Sequence, residues 1–200
     1  KMKIAEYQGK QYKLIQNKRD KCFELVTKKS ENINNKFKKN NNIFYKKIND
    51  LSVLDDISFE NIDMDNVMTP FVVNSFYFCD PDGKTEYVGS RKPLPVDDRT
   101  PSIKSLTFKD INAKNCHVAG AYIFGLPESK VEKLTFENIN FSYAKDAKPG
   151  VAAMMLGCDE ASRQGLIVSN VEKLILKNVN IEGCDGEAIV ADNVDKIERD

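Results

Sequence analysis

The chain has one histidine, His117, and that scarcity limits its chemistry before any motif is read. A Ser–His or Cys–His dyad would have to use this one side chain, which follows Cys116 and precedes Val118-Ala119-Gly120 with no nucleophile elbow around it. It reads as a hydrogen-bonded structural residue at a corner of the chain. The five cysteines (Cys22, Cys79, Cys116, Cys158 and Cys184) are odd in number, far apart and without a CxxC pair. That pattern argues against a disulfide framework or a zinc site and leaves small buried thiols. No motif calls for a metal or another cofactor. No apolar run approaches ~20 residues, so no membrane span is expected. The N-terminal lysines are not followed by a continuous apolar segment, so no secretion signal is expected. A reducing, cytoplasmic setting fits these shortages.

What is present is 200 residues, 41% of them hydrophobic, enough for one or two domains with a real core. The formal net charge is zero, but it is unevenly spread. Residues 1–50 hold 14 basic and 5 acidic side chains, whereas the remaining 150 hold 16 and 25. Asymmetry of that size marks two parts of different character.

An internal repeat starts at Leu54. Its copies are LDDISFENIDM (Leu54–Met64), IKSLTFKDINA (Ile103–Ala113), VEKLTFENINF (Val131–Phe141) and VEKLILKNVNI (Val171–Ile181), and Val194-Asp195-Lys196-Ile197 opens a fifth. Apolar residues fall at offsets 0, 3, 5 and 8 of each copy. The step of two is strand alternation, and no 3.6-residue period fits. Asn61, Asp110, Asn138 and Asn178 occupy one position, where alternation breaks as at a turn, and they are placed to stack as a hydrogen-bonded ladder. The copies lie 49, 28 and 40 residues apart, counted from Ile57, Leu106, Leu134 and Leu174. Irregular spacing around a fixed core predicts an all-β chain built as a parallel β-helix with loops of unequal length. Ordinary strands of a β-sandwich are the competing reading.

Residues 1–50 lack the repeat. Ile4–Tyr7, Tyr12–Ile15, Cys22–Thr27 and Ile43–Ile48 read as short strands, with turns at Gly9 and Asn17–Asp20 and a Lys/Asn-rich loop over 28–42. This predicts a small antiparallel β unit that leans on the solenoid over residues 51–200 and caps it, with the junction near Asn49–Val53. Its lysines and aromatics raise nucleic-acid binding as an idea, but no recognised motif accompanies them and a solvated surface is the preferred reading. The excursion from Thr69 to Pro101 contains the turn Pro81-Asp82-Gly83 and the breakers Pro93, Pro95 and Pro101. Asp146–Gly150 (DAKPG) is a shorter turn of the same kind. Long loops on a rigid scaffold usually carry function.

FENIDMDNVMTPFVVNSFYFCDPDGKTEYV, with LPVDDRTP, AYIFGLPE, DAKPGVAAMM and GEAIVADNV after it, resembles the C-terminal part of bacterial polygalacturonases of glycoside hydrolase family 28 over residues 57–197. The resemblance implies a right-handed coil and a role in pectin or galacturonide metabolism. It also implies inverting hydrolysis by aspartates acting as acid and water-activating base. The family carries these groups on Asn-Thr-Asp, Asp-Asp, Gly-His-Gly and Arg-Ile-Lys segments that lie upstream of the similar region, and residues 1–50 contain none of them. Asp55-Asp56 falls within a repeat and Asp97-Asp98 within a loop, so no catalytic residue is assigned. The expectation is a truncated, polygalacturonase-like protein that is inactive as a hydrolase alone.

The loop from Asn74 to Arg99 keeps the features of a sugar-acid cleft wall. Tyr77 and Phe78 are suited to stack on a pyranose, and Lys84, Arg91 and Arg99 to pair with carboxylates. The partners expected are a galacturonate oligosaccharide and, at the first coil edge, a second copy or a complementing chain. The other reading is a carbohydrate- or protein-binding module in which the solenoid is scaffold.

Overall fold

In the computed structural model of the chain, residues 53–79, 81, 83–97 and 100–200 are described in full, with the backbone strands of 3–7, 10–16 and 23–26. The strand expected at Ile43–Ile48, the loop over 28–42, the turns at Gly9 and Asn17–Asp20 and residues 49–52 of the junction lie outside the described residues. The elements in chain order are β1 (Lys3–Tyr7), β2 (Lys10–Gln16), β3 (Phe23–Val26), β4 (Val53–Leu54), β5 (Ile57–Asp65) and β6 (Phe71–Asn74). There follow the four-residue helix α1 (Glu86–Gly89), β7 (Ser102–Ile103), β8 (Ser105–Cys116), β9 (Ala119–Phe124), β10 (Val131–Tyr143), β11 (Gln164–Glu182) and β12 (Ile189–Arg199). Among the described residues the fold is all-β, dominated by a curled parallel sheet.

The repeat copies become neighbouring parallel strands in register. Ile57, Leu106, Leu134 and Leu174 are partners across β5, β8, β10 and β11. So are Phe59, Phe108, Phe136 and Leu176, and Ile62, Ile111, Ile139 and Val179. The start of the fifth copy pairs Val194 with Val171 and Ile197 with Leu174. Because the offsets are shared, like side chains lie over like. Phe59 stacks on Phe108 with centroids 5.1 Å apart, and Phe108 on Phe136 at 5.0 Å, the planes within 16° of parallel. Phe108 and Phe136 are fully buried, and each such side chain contributes roughly 1.5–3 kcal/mol. Stacking adds about 0.5–1.5 kcal/mol per pair.

The break in alternation is a corner. Asn61, Asp110, Asn138 and Asn178 have φ of 56°, 53°, 55° and 49°, the left-handed conformation that asparagine and aspartate tolerate better than other side-chained residues. Their side chains form rungs: Asn178 Nδ2 donates to Asn138 Oδ1 at 3.1 Å, and Asn138 Nδ2 to Asp110 Oδ1 at 2.8 Å. On the outer face just before the corner, Glu137 bridges Lys109 at 2.7 Å and Lys177 at 3.7 Å.

A second set of parallel pairings forms the other flank. β6 pairs with β9, and β9 with the first part of β11, while β12 runs beside both parts of β11. β11 serves both flanks because it bends at Asn170 and again at Asn178. Asn170 and Asn193 share a left-handed corner, where Asn193 Nδ2 donates to Asn170 Oδ1 and Asn170 Nδ2 to the Gly125 carbonyl. Only glycine fits opposite them, since a Cβ on residue 125 would lie 2.5 Å from the Asn170 carbonyl oxygen.

A third corner holds Asn66 and Asn115, both left-handed, and His117. The Lys148 amide donates to His117 Nδ1 at 3.0 Å, so Nδ1 carries no proton, and Nε2–H donates to Asn66 Oδ1 at 2.7 Å. The imidazole is thus a neutral structural bridge between three segments, 6% exposed.

At the other end, β1 pairs antiparallel with β2 and β2 with β3. β1 also meets β5 antiparallel, with Glu6 opposite Ser58.

Candidate functional site

The β6–β9–β11 flank turns an apolar row outward. Val72, Tyr122, Ile167 and Val190 are register partners on successive strands. A second hydrophobic cluster covers most of the row, with Phe76, Ala152 and Met155 buried against Tyr122 and with Leu156 and Cys158 packed around them. Val190, at the end of the row, stays 40% exposed. Two loop segments therefore lie over this flank, one following β6 and one preceding β11, and the predicted site residues ride on the first.

Asn74 starts the arrangement. Its Oδ1 accepts from the Phe76 amide, and its Nδ2 donates to the Met154 carbonyl, both at 2.8 Å. The segments then pair in antiparallel fashion: Leu156 N donates to Phe76 O at 3.0 Å, Phe78 N to Met154 O at 3.4 Å, and Tyr77 bridges Met155. Met154 has φ of 54° without being glycine, asparagine or aspartate, so this pairing holds strained backbone. Tyr77 and Phe78 are half-buried. Gly83 folds back onto them, and a Cβ there would meet the Phe78 carbonyl carbon at 2.5 Å.

Arg91 returns to the same place. Its guanidinium carbon lies 3.7 Å from the centroid of Phe76 and 5.2 Å from that of Phe124. Nη2 donates to the Leu156 carbonyl. Burial pulls the Arg91 pKa below its ordinary value, against the influence of the neighbouring Cys158. The structure thus engages Arg91 with protein groups. Lys84 is exposed, one residue ahead of Thr85, whose hydroxyl caps α1. Arg99 and Asp98 lie outside the described residues. Asp97 closes a local turn: its amide donates to Thr100 Oγ1 and its carbonyl accepts from the Thr100 amide, each at 3.0 Å.

Several ionisable groups near these loops and on the repeat face are engaged with other side chains. Burial pushes the Cys158 thiol up despite Arg91 beside it. A general acid needs a raised carboxyl pKa, whereas Glu137 and Glu198 are held low by hydrogen bonds from Lys109 and from Lys196 and Lys173. Asp65, Asp110 and Asp192 accept from Asn115, Asn138 and Ser169, and Asp185 and Asp195 are ion-paired with Arg163 and Lys130. Among the described residues, no group of three His, Cys, Asp or Glu side chains is arranged to hold a metal ion. Nor is any helix there long and apolar enough to cross a membrane.

Sequence reasoning missed Asn74, Phe76 and Cys158, and with them the packing of Arg91. Asn74-Ser75-Phe76 is a detectable signal, since Asn side chains bond the backbone two residues on. Set against family models, curated proteins and solved structures, the chain matches none.

Proposed function

We propose that the chain is a stretch of right-handed parallel β-helix of the polygalacturonase type, which binds galacturonide chains without cleaving them. The observation that carries this reading is the in-register stacking of four repeat copies with a left-handed Asn or Asp at the same corner of each. Such stacking supports coils that keep one cross-section while their loops vary in length. In this reading β1, β2 and β3 cap the first coil, and the antiparallel contact of β1 with β5 supports that role. A second copy or a complementing chain is the other partner for that edge. Free thiols at Cys116, Cys158 and Cys184 support a reducing, cytoplasmic setting.

Binding would fall to Tyr77 and Phe78 as stacking surfaces and to Lys84 and Arg99 as cations, with Arg91 holding the wall. Inverting hydrolysis needs two carboxyl groups ~6.5–9.5 Å apart, one with a raised pKa. The engagement of the carboxylates described above supports a non-cleaving role. A second reading, an interaction module with the β-helix as scaffold, draws on the packing of Arg91 against protein. Calorimetric titration with oligogalacturonides separates the two. The uronate reading predicts weak binding that weakens further in salt and falls in Lys84→Ala and Arg99→Ala. Absence of binding at millimolar ligand would favour the scaffold.

A further inference from the structure

We infer that Arg91 is a latch that holds the 76–78 and 154–158 segments over the β6–β9–β11 flank, and that these segments open as a unit while the repeat stack stays closed. Three observations carry this. The stack and the flank cover are separate hydrophobic clusters: one is built on the repeat residues, the other on Phe76, Tyr122 and Met155. Next, the two segments are cross-linked by the Asn74–Met154 bond, by the backbone bonds Leu156 N to Phe76 O and Phe78 N to Met154 O, and by the Arg91 contacts. Within β10, by contrast, the backbone is bonded to a neighbour on each side.

The third observation is strain. Met154, two residues before the Leu156 carbonyl that Arg91 grips, is left-handed at φ 54° though it is neither glycine nor asparagine. A side-chained residue in that region relaxes when its cross-links are released. Arg91 spans both segments, with its guanidinium carbon 3.7 Å over the ring of Phe76 of the first and Nη2 donating to Leu156 of the second. Its planar fork makes these two contacts together, which lysine cannot reproduce. The role is positional, and it places Tyr77 and Phe78 whether or not they meet a ligand.

Hydrogen exchange of the whole chain tests the latch, with β10 as an internal control for folding. In Arg91→Ala the amides of Phe78 and Leu156 should exchange about tenfold faster or more, the loss of a cation–π contact and a charge-assisted hydrogen bond. The amides of Leu134 and Ile139 should keep wild-type protection. Arg91→Lys should resemble Arg91→Ala, because a single ammonium cannot hold the Phe76 ring and the Leu156 carbonyl together. Unchanged exchange at Phe78 and Leu156, equal loss of protection at Leu134 and Ile139, or full rescue by lysine would each overturn the inference.

Discussion

Asn138 donates to Asp110 across 2.8 Å while accepting from Asn178 at 3.1 Å, with its backbone left-handed at φ 55°. One residue therefore does two things that no other residue type does well together: it turns the strand and ties the turn to the neighbours on both sides.

This relationship predicts an order of effects. Asn138→Ala should cost about 3 kcal/mol, combining left-handed strain of about 1 kcal/mol with two lost hydrogen bonds of about 1 kcal/mol each. Asn138→Gly keeps the conformation and should cost less. Urea unfolding of the two variants checks this, and an equal cost would mean that conformation plays no part.

Phe108 is the middle ring of the stack, between Phe59 and Phe136 and 4.5 Å from the ring of Phe71. Phe108→Ala should lose about 3–5 kcal/mol. Phe108→Leu should lose much less, because Leu176 already fills the equivalent place on β11. Thermal unfolding in which the leucine variant is as weak as the alanine one would contradict the interchangeability of rungs.

Much of this core was legible in the sequence, because Leu134, Phe136 and Ile139 repeat offsets found around Ile57, Leu106 and Leu174, and a shared offset survives any loop length. Asn138 was legible as a turn for the same reason. The β6–β9–β11 flank was not. Ala119 to Ile123 are all buried, since the stack lies on one side of the strand and the loop cover on the other, so no polar alternation marks it. Asn66, Asn115, Asn170 and Asn193 make corners too, but the repeat as read stops short of them. Arg91 was legible as a loop cation, but not its partners Phe76, Phe124 and Leu156, which lie 15, 33 and 65 positions away in the chain.

Alkaline pH should expose the buried thiol. Cys116 is fully buried, and burial pushes it from 9.0 up to about 12. Its folded value lies above the unfolded one, so its contribution is complete below about pH 9 and drains away as pH climbs toward 12. Tyr122, raised by burial to about 12, adds to the same slope from about 10 upward. Denaturant midpoints measured across that window should fall in the wild type and fall less steeply in Cys116→Ala. Parallel curves would show that the thiol does not ionise on unfolding.

The reading as a galacturonide-binding, non-cleaving β-helix is tested most directly by following an oligogalacturonide by ligand-observed proton NMR in the presence of the full chain. Binding at the Tyr77–Lys84 loop should broaden the sugar resonances, and added salt should sharpen them again. No new reducing-end signals should grow over the incubation, since Asp65, Asp110, Glu137, Asp185, Asp192, Asp195 and Glu198 are engaged by hydrogen bonds or ion pairs. New reducing ends above the blank would make the chain a hydrolase, and unbroadened resonances at millimolar sugar would remove the uronate site.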